Sequence, residues 1–402
     1  MKLKIMYLIF AIIIIIIAIF YYLVRFENAS IENNDIVIVG YNEKTGKFIF
    51  SKQREYSLSG IDGPYIINDS IYRITSMNTI SREPLRDKHY IKVFANNIDN
   101  DTFSFNLQDS YQKPLSNYLA SNKIIAISDI EGNFDGFSSF LKNNHVIDSN
   151  FNWIFGNNQL VLLGDFVDRG DKVSEVLWLI YKMDYESKKF GGVVHYILGN
   201  HEVMNLQGKA KYSHGKYKKA AQLISGKVMI SDAVRHIYST NSAIGAWLRS
   251  KNVIEQIGDY IFVHAGLSYE ITNYGLTLEN INEIARKNLD RYHTIKDDEN
   301  LKIEDFIFSK RGPLWYRGLA SDYKDYNKIS KEQLSVILNH FKAKTIIFGH
   351  SIVEDIHFDY NRQLLDIDIK HGTSKNSSKT KGILIEDGVF YKIDGKAYKT
   401  KL

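Results

Sequence analysis

Short apolar runs that end sharply on glycine or on a polar residue recur from residue 124 onward. The runs are rich in Ile, Val, Leu and Phe, which is typical of buried strands. Each carries a potential metal or phosphate ligand at or just after its end. They are IIAISDIEGN (124–133), LVLLGDFVDRG (160–170), YILGNHEVMN (196–205), YIFVHAGLS (260–268) and TIIFGHS (345–351). The pattern predicts buried strands whose ends carry the chemistry of the protein.

Stretches with helical spacing separate these strands. They cover residues 134–144, 171–189, 277–289 and 330–341. After His350, the β pattern returns in QLLDIDIK, KGILIEDG and VFYKIDG. Strand–helix alternation of this kind predicts an α/β fold, with two packed sheets and the helices outside them.

Alternation of the β type also dominates residues 36–118. DIVIVGYNEKTGKFIF predicts a hairpin that turns at 43–46, PYIINDSIYRI repeats the pattern, and HYIKVFANN with TFSFNL predicts a further antiparallel pair. No catalytic cluster falls in this part. We therefore divide the chain into an N-terminal anchor or signal with its linker (1–29), a β-rich extension (30–120) packed on the body, and a catalytic domain (121–402).

Residues 5–24 form a continuous apolar stretch, which is long enough for a membrane-spanning helix. Lys2 and Lys4 precede it, while Arg25 and Glu27 follow it, so the positive-inside rule favours a cytoplasmic N-terminus. We expect a single-pass, membrane-anchored protein with an extracytoplasmic (periplasmic) catalytic domain. The alternatives are a cleaved signal, which gives a secreted protein, and a buried core helix.

Composition narrows the function further. With 402 residues and 44% hydrophobic content, the chain can form a large core without disulfides. The absence of cysteine excludes cysteine-nucleophile phosphatases and thiolate metal sites. A net charge of +5 is too small to indicate a nucleic-acid partner, and none is expected.

The strand ends predict a metal centre. In open α/β sheets, ligands bind beyond the carboxyl ends of the strands, so these side chains should meet at one edge. Oxygen donors and imidazoles together can hold two divalent metals, which indicates phosphoester hydrolysis. Taken singly, the acids could be a loop cluster or helix cap, and the histidines ordinary strand-end residues. The predicted metal ligands are Asp129, Glu131, Asp165, Asn200, His264 and His350.

Further polar residues beside these ligands suit phosphate binding and proton transfer. Arg169 presents a planar fork that matches two phosphate oxygens, although it could instead form a surface ion pair. His201 follows the ligand Asn200 and suits a general acid that protonates the leaving oxygen, with Asp168 as its orienting carboxylate. Arg317 in PLWYRG is the predicted second phosphate-binding arginine, with Arg311 as the alternative.

These segments together resemble the calcineurin-like metallophosphoesterases, and within them the phosphoprotein phosphatase branch. GDFVDRG, GNHE and HAGLS carry the resemblance, which spans roughly residues 123–351. GNHEVMNL with PLWYRG is most similar to the Shewanella-like bacterial phosphatases, and DGPYII (62–67) is also similar to a feature of that group.

The resemblance implies an α/β/β/α sandwich, two metals and direct attack on phosphorus by a metal-bound hydroxide. It places the first metal on Asp129, residue 131 and Asp165, and the second on Asp165, Asn200, His264 and His350. It also implies that Arg169, Arg317 and Asn200 bind the substrate phosphate, and that His201 with Asp168 serves the leaving group.

One position departs from the family pattern. The family normally has His where this chain has Glu131. A carboxylate there favours a harder metal, so we expect Mn²⁺, with Fe, Zn or Mg as alternatives. The rival interpretation is that the first site is weak and the activity low.

The predicted function is a metal-dependent protein phosphatase for phosphoserine, phosphothreonine or phosphotyrosine. One alternative is a hydrolase of small phosphates or of dinucleoside polyphosphates. Another is an inactive, membrane-anchored module that only binds phosphate. The expected partners are a phosphoprotein or a phosphorylated small molecule, and the membrane through the N-terminal helix.

Overall fold

The computed structural model describes residues 30–31, 35–42, 47–54, 56–291, 301–320 and 326–402. The predicted membrane helix at 5–24 and the predicted turn at 43–46 lie outside these residues. Within the described part of the chain, no helix combines the length and the apolar character needed to cross a membrane.

The N-terminal part consists of short strands, as its alternation predicts. β2 (Asp35–Asn42) and β3 (Lys47–Arg54) pair antiparallel on either side of 43–46, β4 (Asp62–Ile67) pairs with β5 (Ser70–Ile74), and β7 (Ile91–Phe94) pairs with β8 (Thr102–Phe105). All three predicted pairings are therefore confirmed. The turn between β4 and β5 places Asn68 at φ +49°, a left-handed conformation that Asn tolerates. The strands are β1 Ser30–Ile31, β2 Asp35–Asn42, β3 Lys47–Arg54, β4 Asp62–Ile67, β5 Ser70–Ile74, β6 Ile80–Pro84, β7 Ile91–Phe94, β8 Thr102–Phe105 and β9 Asn117–Tyr118.

Two sheets form the centre of the body. Their strands are β10 Lys123–Ile127, β11 Gln159–Leu162, β12 Val193–Tyr196, β13 Ile254–Ile257, β14 Tyr260–Val263, β15 Thr345–Phe348, β16 His357–Asp359, β17 Leu364–Asp366, β18 Lys381–Glu386, β19 Val389–Asp394 and β20 Lys399–Lys401. The first sheet has the order β12-β11-β10-β18-β19-β20, and the second has the order β16-β17-β15-β14-β13-β9. β10, β11 and β12 run parallel, as do β14, β15 and β17.

Helices pack on the outer faces of the two sheets. They are α1 Phe134–Asn143, α2 Val173–Ser187, α3 Asn200–Leu206, α4 Gly215–Ser225, α5 Ile230–Ile237, α6 Ala243–Ser250, α7 Leu278–Asn288, α8 Ile303–Phe306 and α9 Lys331–Phe341, with 3₁₀ turns at Lys188–Phe190 and Tyr269–Tyr274. Helices α1, α2, α7 and α9 confirm the predictions from helical spacing. Helix α9 begins at a capping box, in which Ser330 and Gln333 bond reciprocally to each other's backbone. The short helices α3 to α6 are not in the prediction.

The layering explains why the strands are apolar on both faces. Successive residues of a strand point to opposite sides. In β10, Ile124 and Ala126 pack against residues of the second sheet such as Ile347, while Ile125 packs in the same cluster as Phe137 of α1. The two packed sheets with helices outside them, predicted from the alternation, are therefore observed, and they match the α/β/β/α sandwich that the resemblance implies.

The N-terminal strands pack on α2 and α4 of the body. Phe105 stacks on Trp178, with ring centroids 4.1 Å apart. Asp62, from the DGPYII segment, is buried and lies 3.3 Å from Lys216 Nζ, and Ser174 Oγ donates to it at 3.3 Å. These contacts join the β-rich part to one helix before the GNHE segment and to one helix after it.

Candidate metal centre and active site

The parallel strands of both sheets end at one edge, and the predicted side chains meet there. Asp129 follows β10, Asp165 follows β11, Asn200 follows β12, and His264 and His350 follow β14 and β15. All of these except His264 line a cavity of about 350 Å³. Residues lining this cavity are Asp129, Glu131, Asp165, Arg169, Asn200, His201, Tyr212, Trp315, Arg317, His350, Ser351, Ile352 and Asp368.

The backbone turns sharply where these strands end. Several non-glycine residues there adopt the left-handed conformation, which few L-residues occupy. They are Asp129 (φ +51°), Glu131 (+51°), Asp165 (+56°), Asp168 (+68°), Arg169 (+53°) and His350 (+68°). Gly164 (φ +80°) allows the same close turn, because a Cβ there would lie 2.4 Å from the Gly199 nitrogen. The turns aim the polar side chains into the cavity.

Donor atoms of four residues converge on one point. His264 Nε2 lies 2.9 Å from Asn200 Oδ1, 3.2 Å from His350 Nδ1 and 3.3 Å from Asp165 Oδ2. The other ring nitrogen, His264 Nδ1, donates to the Leu163 carbonyl at 2.6 Å, which fixes the ring and leaves Nε2 directed at the cluster. Two imidazole nitrogens, a carboxylate oxygen and an amide oxygen fit one divalent cation of the Mn, Fe or Zn type.

The charges in this cluster strongly perturb one another. Burial opposes the charged imidazole, but Asp165 outweighs it and raises the pKa of His264 to about 9. Burial, together with His264 and Arg317, lowers the pKa of His350 well below its usual range. Burial raises the pKa of Asp129 to about 6. Such divergent shifts within one cavity are typical of functional sites.

The acids of the first predicted metal site are placed differently from each other. Asp129 Oδ2 accepts a hydrogen bond from the His350 backbone at 3.1 Å, and Ser128 Oγ also donates to it. Glu131 lines the cavity, but its carboxylate forms an ion pair with Arg169. Arg169 therefore competes with the predicted metal for the carboxylate of Glu131.

His201 and Asp168 form the pair predicted for proton transfer. Asp168 Oδ2 lies 2.8 Å from His201 Nδ1, while Asp168 Oδ1 accepts from Asn205 Nδ2 at 2.9 Å and from Ser213 Oγ at 2.7 Å. His201 Nε2 lies 3.7 Å from Asp165 Oδ2. Burial opposes the imidazolium, but Asp165 and Asp168 outweigh it and raise the pKa of His201 above its ordinary value. These two carboxylates therefore favour the protonated form of His201 beside the cavity.

Glu202 connects the GDFVDRG and GNHE segments. Its carboxylate accepts hydrogen bonds from the backbone nitrogens of Asp165 (2.9 Å), Phe166 (2.8 Å) and Gly199 (2.8 Å), and from Tyr196 OH (2.9 Å). Four donors on one buried carboxylate fix the backbone that carries Asp165 and Asn200.

The structure distinguishes the two candidates for the second phosphate-binding arginine, Arg317 and Arg311. Arg317 lines the cavity, where its Nη1 donates to the His350 carbonyl at 2.6 Å and to Ser351 Oγ at 3.2 Å. Arg311 does not line it, and instead pairs with Glu270 at 2.8 Å. The structure therefore brings Arg317, rather than Arg311, to the same cavity as Arg169.

Two further cavity residues have no counterpart in the sequence prediction. Tyr212 stacks near His201, with ring centroids 4.9 Å apart. Asp368 is 2% exposed and follows β17, which ends at the same edge as β15. Burial raises the pKa of Asp368 well above its usual range, and the charge of Asp129 adds to the effect. The strand-like run LLDIDI (364–369) was the available signal for Asp368, since it too carries acids near its carboxyl end.

Comparison with known proteins gives a consistent picture. Residues 122–354, more than half of the chain, match the family of calcineurin-like phosphoesterases. Shewanella-like protein phosphatase 1 of Plasmodium berghei (strain Anka) is 28% identical over 252 residues, which cover 61% of this chain and 65% of that protein. Shewanella-like protein phosphatase 2 of Arabidopsis thaliana is 26% identical over 216 residues, covering 45% of this chain and 53% of that protein. The chain thus spans less than two thirds of the length of each.

A solved structure extends the similarity over most of the fold. The cold-active protein-tyrosine phosphatase of a psychrophilic Shewanella species superposes with a TM-score of 0.73 at 30% identity, covering 86% of this chain and 100% of that one. The chain belongs to the calcineurin-like phosphoesterases, a family of hydrolases, and its relatives lie with the Shewanella-like phosphatases of the phosphoprotein phosphatase branch.

Proposed function

We propose that the protein is a metal-dependent phosphomonoesterase that acts on phosphoproteins. The observation that carries the proposal is one cavity in which a cluster of metal-ligand atoms faces a buried His201–Asp168 pair and the side chains of Arg169 and Arg317. Metal ligands, a proton donor and phosphate-binding guanidinium groups are the parts that phosphoester hydrolysis requires.

The metal ligands divide into two groups around Asp165. Asp165, Asn200, His264 and His350 would hold one divalent cation, and Asp129 with Asp165 and Glu131 would hold the other. Bound there, the cation pair would supply Lewis acidity, which activates a water as nucleophile and polarises the phosphoryl group. The carboxylate at position 131, where the family has His, supports Mn²⁺ in preference to Zn²⁺.

The arginines would bind and neutralise the phosphoryl oxygens. Arg169 has a half-exposed guanidinium that can exchange Glu131 for a phosphate dianion. Arg317 is held by the backbone after His350, so its position relative to the ligand cluster is fixed. Fixed positive charge at this place stabilises charge that develops on the transferring group.

His201 would protonate the departing oxygen of the phosphorylated side chain. Asp168 binds Nδ1, so the proton to be transferred lies on Nε2, which faces the cavity. Asn205 and Ser213 hold Asp168 in turn, which restricts the ring to one orientation.

Activity of the purified full-length chain on a substrate panel tests the proposal. The panel contains phosphoserine, phosphothreonine and phosphotyrosine peptides, diadenosine tetraphosphate and nucleoside monophosphates, each with Mn²⁺. We expect Mn²⁺-dependent release of phosphate from phosphopeptides. Preference for diadenosine tetraphosphate or nucleotides would favour the small-molecule alternative instead.

The Glu131–Arg169 ion pair favours one competing function, a non-catalytic phosphate-binding module. In that case no substrate is hydrolysed with any metal, and Glu131→His restores turnover because it frees Arg169. Hydrolysis by the wild-type chain would exclude this function.

We also propose that the apolar residues 5–24 anchor the protein in a membrane, with the catalytic domain outside the cytoplasm. Fractionation of cells that express the full chain tests this. Full-length protein in the membrane fraction, accessible to protease from outside, is expected. A soluble, N-terminally shortened product would indicate a cleaved signal instead.

A further inference from the structure

Asp368 reaches the metal centre through the second sheet. β17 pairs parallel with β15, and Phe348 is opposite Asp366 in that register. Just beyond this pair the Ile367 backbone donates to the Phe348 carbonyl at 2.8 Å, and Asp368 follows and lines the same cavity as His350. Its backbone is fixed there, because its carbonyl accepts a hydrogen bond from Val353 at 2.9 Å. The topology thus adds a carboxylate to the edge where the other ligands meet.

The carboxylate of Asp368 is buried and has no partner. Asp368 is 2% exposed and lines the same cavity as Asp129, Asp165 and His350. Within the described residues, no donor forms a hydrogen bond or ion pair with its side chain. An unpaired carboxylate is costly to bury, so native proteins rarely keep one without a cation or a hydrogen-bond donor.

Glu131 stands in the opposite situation. It is one quarter exposed, and its carboxylate is already engaged by Arg169. Of the three predicted ligands of the first metal, Asp129 and Asp165 are then left. Asp368 lines the same cavity, and its side-chain oxygens accept no hydrogen bond from the described residues.

We propose that Asp368 is an additional ligand of the metal centre, and that it adds a carboxylate to a site where Arg169 competes for Glu131. The inference rests on the proposed metal-dependent function. It adds a ligand from the strand after His350 to a set drawn from five earlier segments.

Metal content tests the assignment directly. Full-length wild type and Asp368→Asn are equilibrated with defined free Mn²⁺, and bound metal is measured by mass spectrometry and by electron paramagnetic resonance. Wild type should bind two Mn²⁺ per chain. Asp368→Asn should lose the weaker ion, or bind it at least about tenfold more weakly, since even residues that only orient a ligand contribute this much.

Asp366→Asn is the matched control. Asp366 is also buried, and it lies two residues away on the same strand, but it does not line the cavity. Its Oδ1 accepts from the Asp368 backbone at 2.9 Å, which an Asn oxygen can still do. Asp366→Asn makes the same exchange of a carboxyl group for an amide and should keep both Mn²⁺ ions.

Thermal stability gives a readout that does not depend on activity. Asp368→Asn should reduce the rise in Tm that Mn²⁺ produces, because it removes a ligand of the bound metal. A purely structural Asp368 predicts a lower metal-free Tm and an unchanged rise on addition of Mn²⁺.

The outcomes separate the inference from the proposed function. Wild type that binds no Mn²⁺ would overturn the proposed function and this inference with it. Two Mn²⁺ in both wild type and Asp368→Asn, with equal affinities, would overturn the role of Asp368 alone. In the Asp368→Asn background, Glu131→His should restore the second ion, because a neutral imidazole does not pair with Arg169.

Discussion

Two buried histidine–carboxylate pairs lie on neighbouring segments of this protein and differ in what surrounds them. His201 and Asp168 are joined by a 2.8 Å contact at the rim of the sandwich. His195 and Glu255 are joined by a 2.6 Å contact between β12 and β13, and so bridge the two sheets. Both pairs are almost fully shielded from solvent.

The second ring nitrogen distinguishes the two pairs. His201 Nε2 faces the cavity and the ligand Asp165. His195 Nε2 is buried without a hydrogen-bond partner in the described structure, and the ring meets Tyr118 edge-on at 4.5 Å. A histidine and an acid in contact are therefore not sufficient for acid catalysis, because the proton must also be delivered to a space that substrate can enter.

The largest expected effect is on turnover by His201→Ala. Loss of a positioned general acid should lower kcat about 10²- to 10⁴-fold on a phosphoserine peptide. The loss should be much smaller for an aryl phosphate whose leaving group needs no proton. Steady-state kinetics on both substrates measure the difference.

His195→Ala is the control for that measurement. It removes an equally buried histidine six residues earlier and should leave the kcat of folded protein unchanged. Equal losses of kcat in the two variants would abolish the distinction drawn between the pairs.

A smaller effect on turnover is expected for Asp168→Asn. The amide keeps the size of the side chain but no longer stabilises the protonated ring, so kcat should fall about tenfold or more. The pH–rate profile should also change. Because Asp168 contributes to the raised pKa of His201, its removal should shift the loss of the acid form to lower pH. An unchanged profile would contradict the role of Asp168.

Stability, and not turnover, should change in Glu255→Gln. Glu255 also accepts a hydrogen bond from Asn252 Nδ2 at 2.8 Å, so its charge serves two donors inside the sandwich. Replacing it should lower the free energy of unfolding by about 3 kcal/mol, the upper range for a hydrogen bond to a charged group. Urea unfolding measures the change, and kcat of the folded variant should match wild type.

The smallest expected effect concerns a carboxylate away from the rim, Asp184. Burial alone would raise its pKa, but Lys251 and Lys188 outweigh it and lower the pKa of Asp184 to about 2. Its ionised form therefore stabilises the fold above about pH 4. That contribution, about 2 kcal/mol, is lost as the pH falls through 2.

Asp184→Asn should reduce the loss of stability at low pH when the free energy of unfolding is measured between pH 2 and 7. Asp69→Asn, at an exposed position, is the control and should leave the pH dependence of the free energy of unfolding unchanged. If the free energy of unfolding of Asp184→Asn still falls as steeply at low pH, other carboxylates are responsible for the acid unfolding.

Local pattern was sufficient for the main elements and for most of the cavity. The continuous apolar runs of β10, β11 and β15 indicated strands buried on both faces, and the acid or histidine after each run marked the edge where they meet. The rule that parallel strands share that edge converts five separate segments into one site without knowledge of the strand order.

What the pattern missed depends on contacts between distant parts of the chain. Asp368 joins the cavity because β17 pairs with β15, and no local signal fixes that pairing. The Glu131–Arg169 ion pair joins residues on different strand ends. Helix α3 begins at the ligand Asn200 itself, and α5 and α6, with 8 residues each, are too short for their spacing to distinguish them from loops.

The left-handed residues at the rim carry a consequence for protein engineering. Each such conformation costs an L-residue about 1 kcal/mol, and glycine would relieve it. Directed evolution that selects only for thermal stability would thus favour glycine at Asp129, Asp165 or His350. The same substitutions would remove the predicted metal ligands. Such a screen has to measure phosphate release in every round, because stability favours glycine at these positions and activity requires the polar side chain.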